Sequence, residues 1–406
     1  MFSDKLIKNK RIAVIGAGPS GLSLACLLQK RGATDVKVYE RDINRFTRIQ
    51  GGSLDIHQDS GQLIIKASGL LDQFQNKKIR TGGSSHSILD KDAKLHYMVP
   101  EFKLLNSRPE IDRGDLRDLF LDALEEDTVL WNHHLIGVEI DNNFLNNNSV
   151  TLKFQDGTVD HVDILIGGDG YNSKVRNLLL PPDKVQGVYK GILLIQSEIE
   201  NPSERCPQID SWVANGSMFA LGDGKLLGAQ QKSSGNLVVF FSTKKNEDFV
   251  NQSNLLSNNN DLIREFLFKE FNGWNQVFID LIIEATTSVP ITARLLYGNI
   301  CEKWETNPRV TLIGDSAHTI LPFTGEGANI AMLDSLDLVN ELTDPNNNST
   351  LNNFICFYFY VSINQPNQTI TQYDTSFLLI VSNHPTQPTA VLIYQQIGGS
   401  PSTSSN

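Results

Sequence analysis

The segment RIAVIGAGPSGLSLACLLQKRG, residues 11–32, constrains the fold more than any other part of the chain. Its apolar run Ile12–Ile15 is short and uninterrupted, as in a strand that is buried on both faces. Apolar residues then recur at helical spacing, and Gly32 suits the end of that helix. A second strand, DVKVYERD, follows. The pattern therefore predicts a βαβ unit within an α/β fold that contains a parallel sheet.

Length and composition bound the remaining possibilities. At about 100–200 residues per domain, 406 residues indicate two or three structural units. The net charge of −11 argues against nucleic acid or an anionic membrane as the main partner. Neither a signal peptide nor a membrane span is visible, so we expect a cytoplasmic protein. The four cysteines lack metal-site or disulfide spacing and favour a reducing compartment; they are Cys26, Cys206, Cys301 and Cys356.

Two later regions differ from this βαβ pattern. Strand-like runs with glycine and asparagine turns occupy residues 187–242 and predict a mostly antiparallel sheet in a second domain. Residues 345–406 are rich in Asn, Gln, Ser and Thr and almost free of charge. This composition predicts a low-complexity, disordered tail.

Three glycines mark the turn between the first strand and its helix. Gly16-x-Gly18-x-x-Gly21 permits a tight turn and a close approach of backbone to a pyrophosphate, which the helix N-terminus attracts. Glu40 ends the next strand, about 20 residues on, where an acid grips an adenosine ribose. A carboxylate there suits FAD or NAD better than NADP. Arg41 contacts the adenosine or is a solvated surface residue, and the alternative for the whole motif is a plain tight turn.

Two further acidic turns follow apolar strands. In LIGGDGYNSKVR, Asp169 ends a strand and either meets a ligand or caps the helix that contains Arg176. In RVTLIGDSAHTILPFTGEGAN, Asp315 ends another strand, and small residues open a long helix. Such a helix start serves a tight connection or leaves free N–H groups for a polar ligand.

The motifs GAGPSG, GGDGYNSKVR and LIGDSAH followed by P-x-x-x-x-G resemble, in this order, those of the FAD-dependent aromatic hydroxylases. These are the class A flavoprotein monooxygenases with the p-hydroxybenzoate hydroxylase fold. The segments RIQGGSLDIHQDSGQLIIKASGLL and RPEIDRGDLRDLFLDAL resemble the branch that contains the tetracycline-degrading TetX enzymes. The resemblance covers about residues 11–342 and does not extend into the tail.

The resemblance implies a fold, a reaction and a set of partners. It implies hydroxylation of a small aromatic or polycyclic organic substrate by FAD, NADH or NADPH, and O2, through a flavin C4a-hydroperoxide. The flavin does the chemistry, so no catalytic side chain and no metal are expected, and the chain would be a monomer or weak dimer. The implied regions are a Rossmann-like FAD-binding domain of the GR2 type (9–78, 106–180 and 287–344), a substrate-binding domain with a mostly antiparallel sheet (79–105 and 181–286) and the tail (345–406).

The resemblance also assigns roles to individual positions. Asp315 would bind the ribityl chain of the flavin, and Arg113 would contact the flavin's linker. Arg117, one helical turn further on, is a candidate for FAD or the nicotinamide donor. The positions that match the cofactor site are Gly16, Gly18, Gly21, Glu40, Arg41, Asp55, Arg113, Asp169, Asp315, Gly325, Gly327, Ala328 and Asn329.

Four positions match the substrate side of the resemblance. Gln196 matches a polar residue of the TetX-like branch, and Pro322 would lie over the flavin ring. Met218 and Val239 stand where that branch has an arginine and a histidine. These apolar residues predict an apolar pocket and poor turnover of tetracyclines, whose polar groups would be left unpaired.

Two other interpretations remain. A nicotinamide-only dehydrogenase would use the same N-terminal fold, although it has no use for the Asp169 and Asp315 segments together. A truncated or inactive flavoprotein homologue is the second, because the region after residue 344 departs from the family pattern.

Overall fold

The computed structural model describes residues 7–47, 51–79, 85–99, 108–140, 149–287, 291–298, 304 and 307–343. These residues form two compact units. The first unit holds the described residues of Met1–Thr81, Asn106–Val188 and Tyr297–Ser362, and the second holds those of Gly82–Leu105 and Tyr189–Leu296. The predicted tail, 345–406, lies outside the described residues.

The secondary structure of these residues alternates strands and helices in the first part of the chain. The strands are β1 (Arg11–Ile15), β2 (Asp35–Tyr39), β3 (Ser53–Asp55), β4 (His86–Asp90), β5 (Leu95–Val99), β6 (Glu110–Asp112), β7 (Val129–Leu130), β8 (Leu135–Ile140), β9 (Val150–Phe154), β10 (Val159–Val162), β11 (Ile164–Gly167), β12 (Val188–Ile199), β13 (Ser217–Gly222), β14 (Lys225–Gln231), β15 (Leu237–Lys244), β16 (Thr292–Gly298) and β17 (Val310–Leu312). The helices are α1 (Pro19–Lys30), α2 (Gly61–Ala67), α3 (Leu71–Gln73), α4 (Arg113–Leu121), α5 (Pro182–Val185), α6 (Pro202–Arg205), α7 (Pro207–Val213), α8 (Glu247–Gln252), α9 (Asn260–Glu270), α10 (Gln276–Thr287) and α11 (Gly327–Thr343).

The first unit is built on a parallel sheet with the strand order β17-β11-β1-β2-β7. Strand β1 lies at its centre, and its successive side chains enter two different cores. Ile12 and Val14 pack in a core with residues of α1, α4 and α11. Ala13 and Ile15 pack in another core with the three-stranded sheet of β8, β9 and β10. The apolar run of β1 is therefore continuous because both of its faces are covered, which confirms the predicted α/β class with a parallel sheet.

The order of these strands decides where the three predicted turns lie. Strands β1, β11 and β17 are parallel neighbours. Gly16 and Gly168 directly follow the carboxyl ends of β1 and β11, and Gly314 follows that of β17 after Ile313. Turns that are far apart in sequence therefore meet at one edge of the sheet, which is where ligands bind in open α/β folds.

The second unit is a seven-stranded sheet with the order β16-β12-β15-β14-β13-β4-β5. Its pairs are antiparallel from β12 through β15 and β14 to β13, and β4 pairs parallel with β13. Residues of α7, α9 and α10 share one core with one face of this sheet. The sequence analysis assigned residues 287–344 to the first domain. The structure instead places β16 in the sheet of the second unit, where Ala293 and Leu295 pack against the core.

The described residues lack two kinds of feature. None of their helices combines the length and the apolar character that crossing a membrane requires. In the same part of the chain, no group of three or more His, Cys, Asp and Glu side chains is arranged to hold a metal ion.

Candidate functional site

The glycine turn after β1 has two glycines that packing requires and one that opens onto free space. Gly16 has φ +101°, and a Cβ there would lie 2.4 Å from the carbonyl oxygen of Gly168. A Cβ on Gly21 would lie 2.0 Å from the carbonyl oxygen of Gly16, whereas one on Gly18 would meet nothing within 4 Å. Helix α1 also lacks a side-chain cap at Gly18, so its first N–H groups are available to a polar ligand.

Glu40 closes this turn from the end of β2. Its side chain is buried, and Oε2 accepts a 2.7 Å hydrogen bond from the amide of Ala17. Oε1 accepts a second bond of 3.0 Å from the amide of Asp42. Arg41, the adjacent residue, is exposed. The acid therefore lies at the glycine turn, where its predicted contact with a ribose would have to be made.

Arg117 lies beneath the same turn and is 4% exposed. Its Nε donates to the carbonyl oxygen of Ala17 at 3.1 Å, and Nη2 lies 3.4 Å from Oδ2 of Asp42. The guanidinium also lies 5.2 Å from the centre of the Trp131 ring. The structure thus gives Arg117 a role in fixing α4 to the glycine turn. This corrects its assignment as a contact for a dissociable nicotinamide donor, because so deeply buried a side chain is not open to one.

The second turn is organised by Asp169. Oδ1 accepts a 2.6 Å bond from the hydroxyl of Ser173, and Oδ2 accepts a 2.7 Å bond from the amide of Lys174. Burial raises the pKa of Asp169 in spite of these bonds. Both carboxylate oxygens therefore serve the local turn, which is the capping alternative left open by the sequence.

Arg176 connects the second turn to the third. It is buried, and its Nη1 donates to the carbonyl oxygen of Ser316 at 3.1 Å. Its Nη2 donates to the carbonyl oxygen of Tyr171. The sequence placed Arg176 in a helix without a role, because nothing local indicates a partner so far along the chain.

The third turn presents Asp315. Gly314 has φ +58°, and its amide donates to Oδ2 of Asp334 at 2.6 Å. The same oxygen lies 2.7 Å from Nε2 of His318, so this histidine has a structural contact next to the turn. The side chain of Asp315 is exposed and has no hydrogen-bond partner among the described residues.

The surroundings of Asp315 indicate a concave position. Desolvation by the surrounding protein raises the pKa of its carboxyl, although His318 and Arg113 oppose that shift. A side chain that lies in a cleft is accessible to water although protein atoms surround it on several sides. We therefore regard Asp315 as a carboxylate that is open to a ligand and only partly hydrated.

These features fit a dinucleotide with hydroxyl groups along its linker. The open position at Gly18 and the uncapped start of α1 suit a diphosphate. The Asp315 carboxylate offers an acceptor for a hydroxyl group. Arg113, whose Nε would lie 3.6 Å from a Cβ on Gly51, contributes positive charge to the environment of Asp315.

A fourth cluster joins β3 to the start of α11. Nε2 of His57 lies 2.7 Å from Oδ2 of Asp55, and its Nδ1 lies 3.1 Å from Oε1 of Glu326. Asn329 is fully buried. Its side-chain Nδ2 donates to the carbonyl oxygen of Asp55 at 2.8 Å, and its Oδ1 accepts a bond from the backbone amide of His57 at 3.0 Å. Sequence reasoning included Asp55 and Asn329 but missed His57 and Glu326, since their pairing has no local signal.

The residues before α11 leave space near this cluster. Gly325 has φ +69°, and a Cβ there would lie 3.4 Å from Oδ1 of Asp55. A Cβ on Gly327 would meet nothing within 4 Å. Ala328 is half-buried, and Pro322 is exposed. The structure thus brings together Asp55, Gly325 and Asn329.

Three of the four predicted substrate residues lie in the second unit, on two opposite faces of its sheet. Met218 and Val239 are fully buried in the core shared with the helices. Gln196 is half-buried and points to the other face, because its neighbour Ser197 donates to the carbonyl oxygen of Ala285 in α10.

This arrangement corrects the assignment of Met218 and Val239 to the pocket. On the face that carries Gln196, their neighbours Phe219 and Phe240 are half-buried. The two rings lie 5.9 Å apart. A shift of one residue moves a side chain to the opposite face of a sheet. The sequence argument against tetracyclines therefore loses its structural basis.

Two segments of the chain match models of known domains, and relatives are similar to the chain along most of its length. Residues 279–352 match the model of an FAD binding domain, and residues 14–51 match that of an NAD(P)-binding Rossmann-like domain. The monooxygenase penA of Penicillium thymicola is 27% identical over 372 residues, which cover 82% of this chain and 84% of that protein. The 6-hydroxynicotinate 3-monooxygenase of Pseudomonas fluorescens is 26% identical and covers 83% of both chains.

Solved structures share the fold. HpxO of Klebsiella pneumoniae, complexed with FAD and uric acid, superposes with a TM-score of 0.66 at 22% identity, covering 86% of this chain and 84% of that one. The tetracycline destructase Tet(51) gives a TM-score of 0.63 at 21% identity, covering 85% and 84%. With the glycine turn and the acidic turns, the matches in sequence show that this chain is similar to FAD-dependent monooxygenases along most of its length.

Proposed function

We propose that the protein uses NADH or NADPH and O2 to hydroxylate a small aromatic or polycyclic organic substrate. The observation that supports this most is the meeting of three turns at the ends of β1, β11 and β17, with the Asp315 carboxylate open beside them. A nicotinamide-only dehydrogenase has no need of the third turn. One relative is named a 6-hydroxynicotinate 3-monooxygenase, and the structurally similar HpxO is complexed with uric acid; both compounds favour a planar heteroaromatic substrate.

The chain's own residues then bind and orient rather than react. The start of α1 and Gly18 would hold the diphosphate, and Glu40 and Arg41 would lie at the adenosine end. Asp315 would accept a hydrogen bond from a hydroxyl of the ribityl chain, and Arg113 offsets the negative charge of Asp315. Asp55, held by His57 and Asn329, shapes the space before Gly325 and Gly327. Bound FAD supplies the electron transfer and the activation of O2.

The test begins with the flavin spectrum of the purified protein, before and after addition of FAD. Oxidation of NADH and of NADPH is then compared in air, with a panel of aromatic acids and phenols. The proposal expects a bound flavin, a substrate that accelerates coenzyme oxidation, and a product that has gained one oxygen atom by mass spectrometry. Asp315→Ala, which lacks the open carboxylate, is the matched control for flavin binding.

The outcomes separate the remaining interpretations. A folded protein that binds no flavin would contradict the proposal and favour a nicotinamide-only enzyme. A protein that binds FAD but oxidises neither coenzyme with any compound of the panel would favour an inactive flavoprotein homologue.

A further inference from the structure

The face of the second unit's sheet that carries Gln196 also carries a cation. Nη2 of Arg294, on β16, donates a 3.1 Å hydrogen bond to Oε1 of Gln196. The residues on either side, Ala293 and Leu295, pack against the helix-covered core. Arg294 therefore points to the opposite face, and its side chain is exposed.

Among the described residues, Arg294 has no carboxylate partner, unlike the other arginines of this unit. Arg205 lies 2.6 Å from Glu284, and Arg264 lies 3.1 Å from Asp261. Within the described part of the chain, the hydrogen bond to Gln196 is the contact recorded for the Arg294 guanidinium, and no acid forms an ion pair with it. The surrounding protein desolvates the guanidinium and lowers its pKa. An unpaired and partly desolvated cation of this kind attracts an anion.

An aromatic surface adjoins this cation. Phe240 is the direct strand partner of Gln196, so its Cα lies about 5 Å away, in the next strand. Its ring lies over Gly228, where a Cβ would come within 2.2 Å of the ring. The ring of Phe219 lies 5.9 Å further along the same face. The glycine thus leaves room for a flat aromatic surface that starts one strand away from the Arg294–Gln196 pair.

The donors of this pair remain available. Arg294 uses one of its five N–H bonds on Gln196, and the Gln196 amide NH2 has no recorded acceptor among the described residues. A ligand that stacks on Phe240 would place a substituent about 5 Å from its ring beside these donors. A carboxylate or an ionised hydroxyl is the group that matches them in charge and geometry.

We propose that Arg294, oriented by Gln196, determines substrate specificity by binding an anionic oxygen of an aromatic ring that stacks on Phe240. The substrate class is then an aromatic carboxylate or phenolate rather than a neutral hydrocarbon. In calling the ligand a substrate this inference rests on the proposed function, but the binding that it predicts does not depend on turnover.

The test uses 2-naphthoate and its neutral analogue 2-naphthamide, which have nearly the same shape. Their dissociation constants are measured by calorimetry at pH 7.5 on the purified full-length protein. We expect 2-naphthoate to bind about tenfold more tightly than 2-naphthamide, because only the carboxylate forms charge-assisted hydrogen bonds with Arg294. In Arg294→Gln the preference should fall below about twofold, and Arg294→Lys should retain a preference of at least about threefold.

Two further variants separate the two parts of the proposed surface. Phe240→Leu should weaken both probes by a similar factor, because it removes stacking but no charge. Lys269→Gln loses one positive charge at a side chain that is 74% exposed on α9, and it should leave both dissociation constants unchanged. This variant controls for the overall charge of the protein.

Three results would overturn the proposal. They are a wild-type protein that binds neither probe, one that binds both equally, and an Arg294→Gln variant that retains the full preference. Flavin absorbance is recorded on the same samples. Loss of the anion preference in a flavin-containing protein contradicts this inference alone, whereas absence of flavin contradicts the proposed function whether or not the probes bind.

Discussion

His57 and Glu326 are joined by a contact of 3.1 Å between Nδ1 and Oε1, and Asp55 lies 2.7 Å from the other ring nitrogen. Burial opposes protonation of His57, but the two carboxylates outweigh it and raise its pKa to about 9. The ring is therefore a cation at neutral pH. It connects the end of β3 to the residue that precedes α11, on either side of the space that the site leaves at Gly325.

The first prediction concerns the pH dependence of this contact. A histidine whose pKa is raised on folding stabilises fully below its unfolded value of 6.5, and the stabilisation is lost as pH rises through about 9. His57→Gln should lower the free energy of unfolding by up to about 3 kcal/mol at pH 6 and by much less at pH 10. Urea unfolding at both pH values measures this, with the exposed His161→Gln as control. A constant difference across this range would contradict the assignment.

The second prediction separates the two kinds of glycine in the first turn. Gly16→Ala places a methyl group 2.4 Å from the Gly168 carbonyl oxygen at a φ of +101°, so it should cost more than about 2 kcal/mol of stability. Gly18→Ala meets nothing within 4 Å, so it should cost less than about 1 kcal/mol while weakening FAD binding. Thermal unfolding and flavin retention distinguish the two. Equal loss of stability in both variants would show that Gly18 is a packing residue.

A third prediction follows from the open carboxylate of Asp315. Since its pKa is raised in the folded protein, the ionised form destabilises the fold above that pKa, and the effect disappears once the carboxyl is protonated at lower pH. Asp315→Asn should therefore stabilise the flavin-free protein at pH 8 but not at pH 4. It should also weaken FAD binding by about 10- to 100-fold, through loss of a charged acceptor.

Asp334→Asn is the contrasting variant for this prediction. Asp334 accepts the Gly314 amide at 2.6 Å and contacts His318 at 2.7 Å, so its replacement should destabilise the flavin-free protein. Unfolding curves and flavin titrations of both variants measure the two effects. Unchanged FAD affinity in Asp315→Asn would exclude the proposed contact.

The fourth prediction tests the role of Arg117. Because its guanidinium is buried against Ala17, Asp42 and Trp131, Arg117→Gln should lower stability by about 2–4 kcal/mol. The KM for NADPH should stay unchanged in protein saturated with FAD. Arg41→Gln, at an exposed neighbouring position, should change stability by less than about 0.5 kcal/mol. A several-fold rise in KM for Arg117→Gln without loss of stability would restore its assignment to the nicotinamide donor.

The sequence by itself determined the elements whose signals are local. The apolar run of β1, the helical spacing of α1 and the glycines at 16 and 21 each reflect backbone geometry or burial within a few residues. The turns at Asp169 and Asp315 were located for the same reason, as each follows a short apolar strand. The region in which these turns meet was also predictable, because parallel strands end at a common edge of the sheet.

Only the tertiary structure decided which side chains share a surface. Successive residues along a strand point to opposite faces of the sheet. The sequence analysis assigned Met218 and Val239 to the pocket, but these side chains lie in the core, and their neighbours Phe219 and Phe240 lie on the other face. The contacts of His57 with Glu326 and of Arg294 with Gln196 join distant segments and have no local signature. Arg117 is likewise a packing residue because it is buried. The sequence indicates that it lies on α4, but it does not indicate which residues cover it.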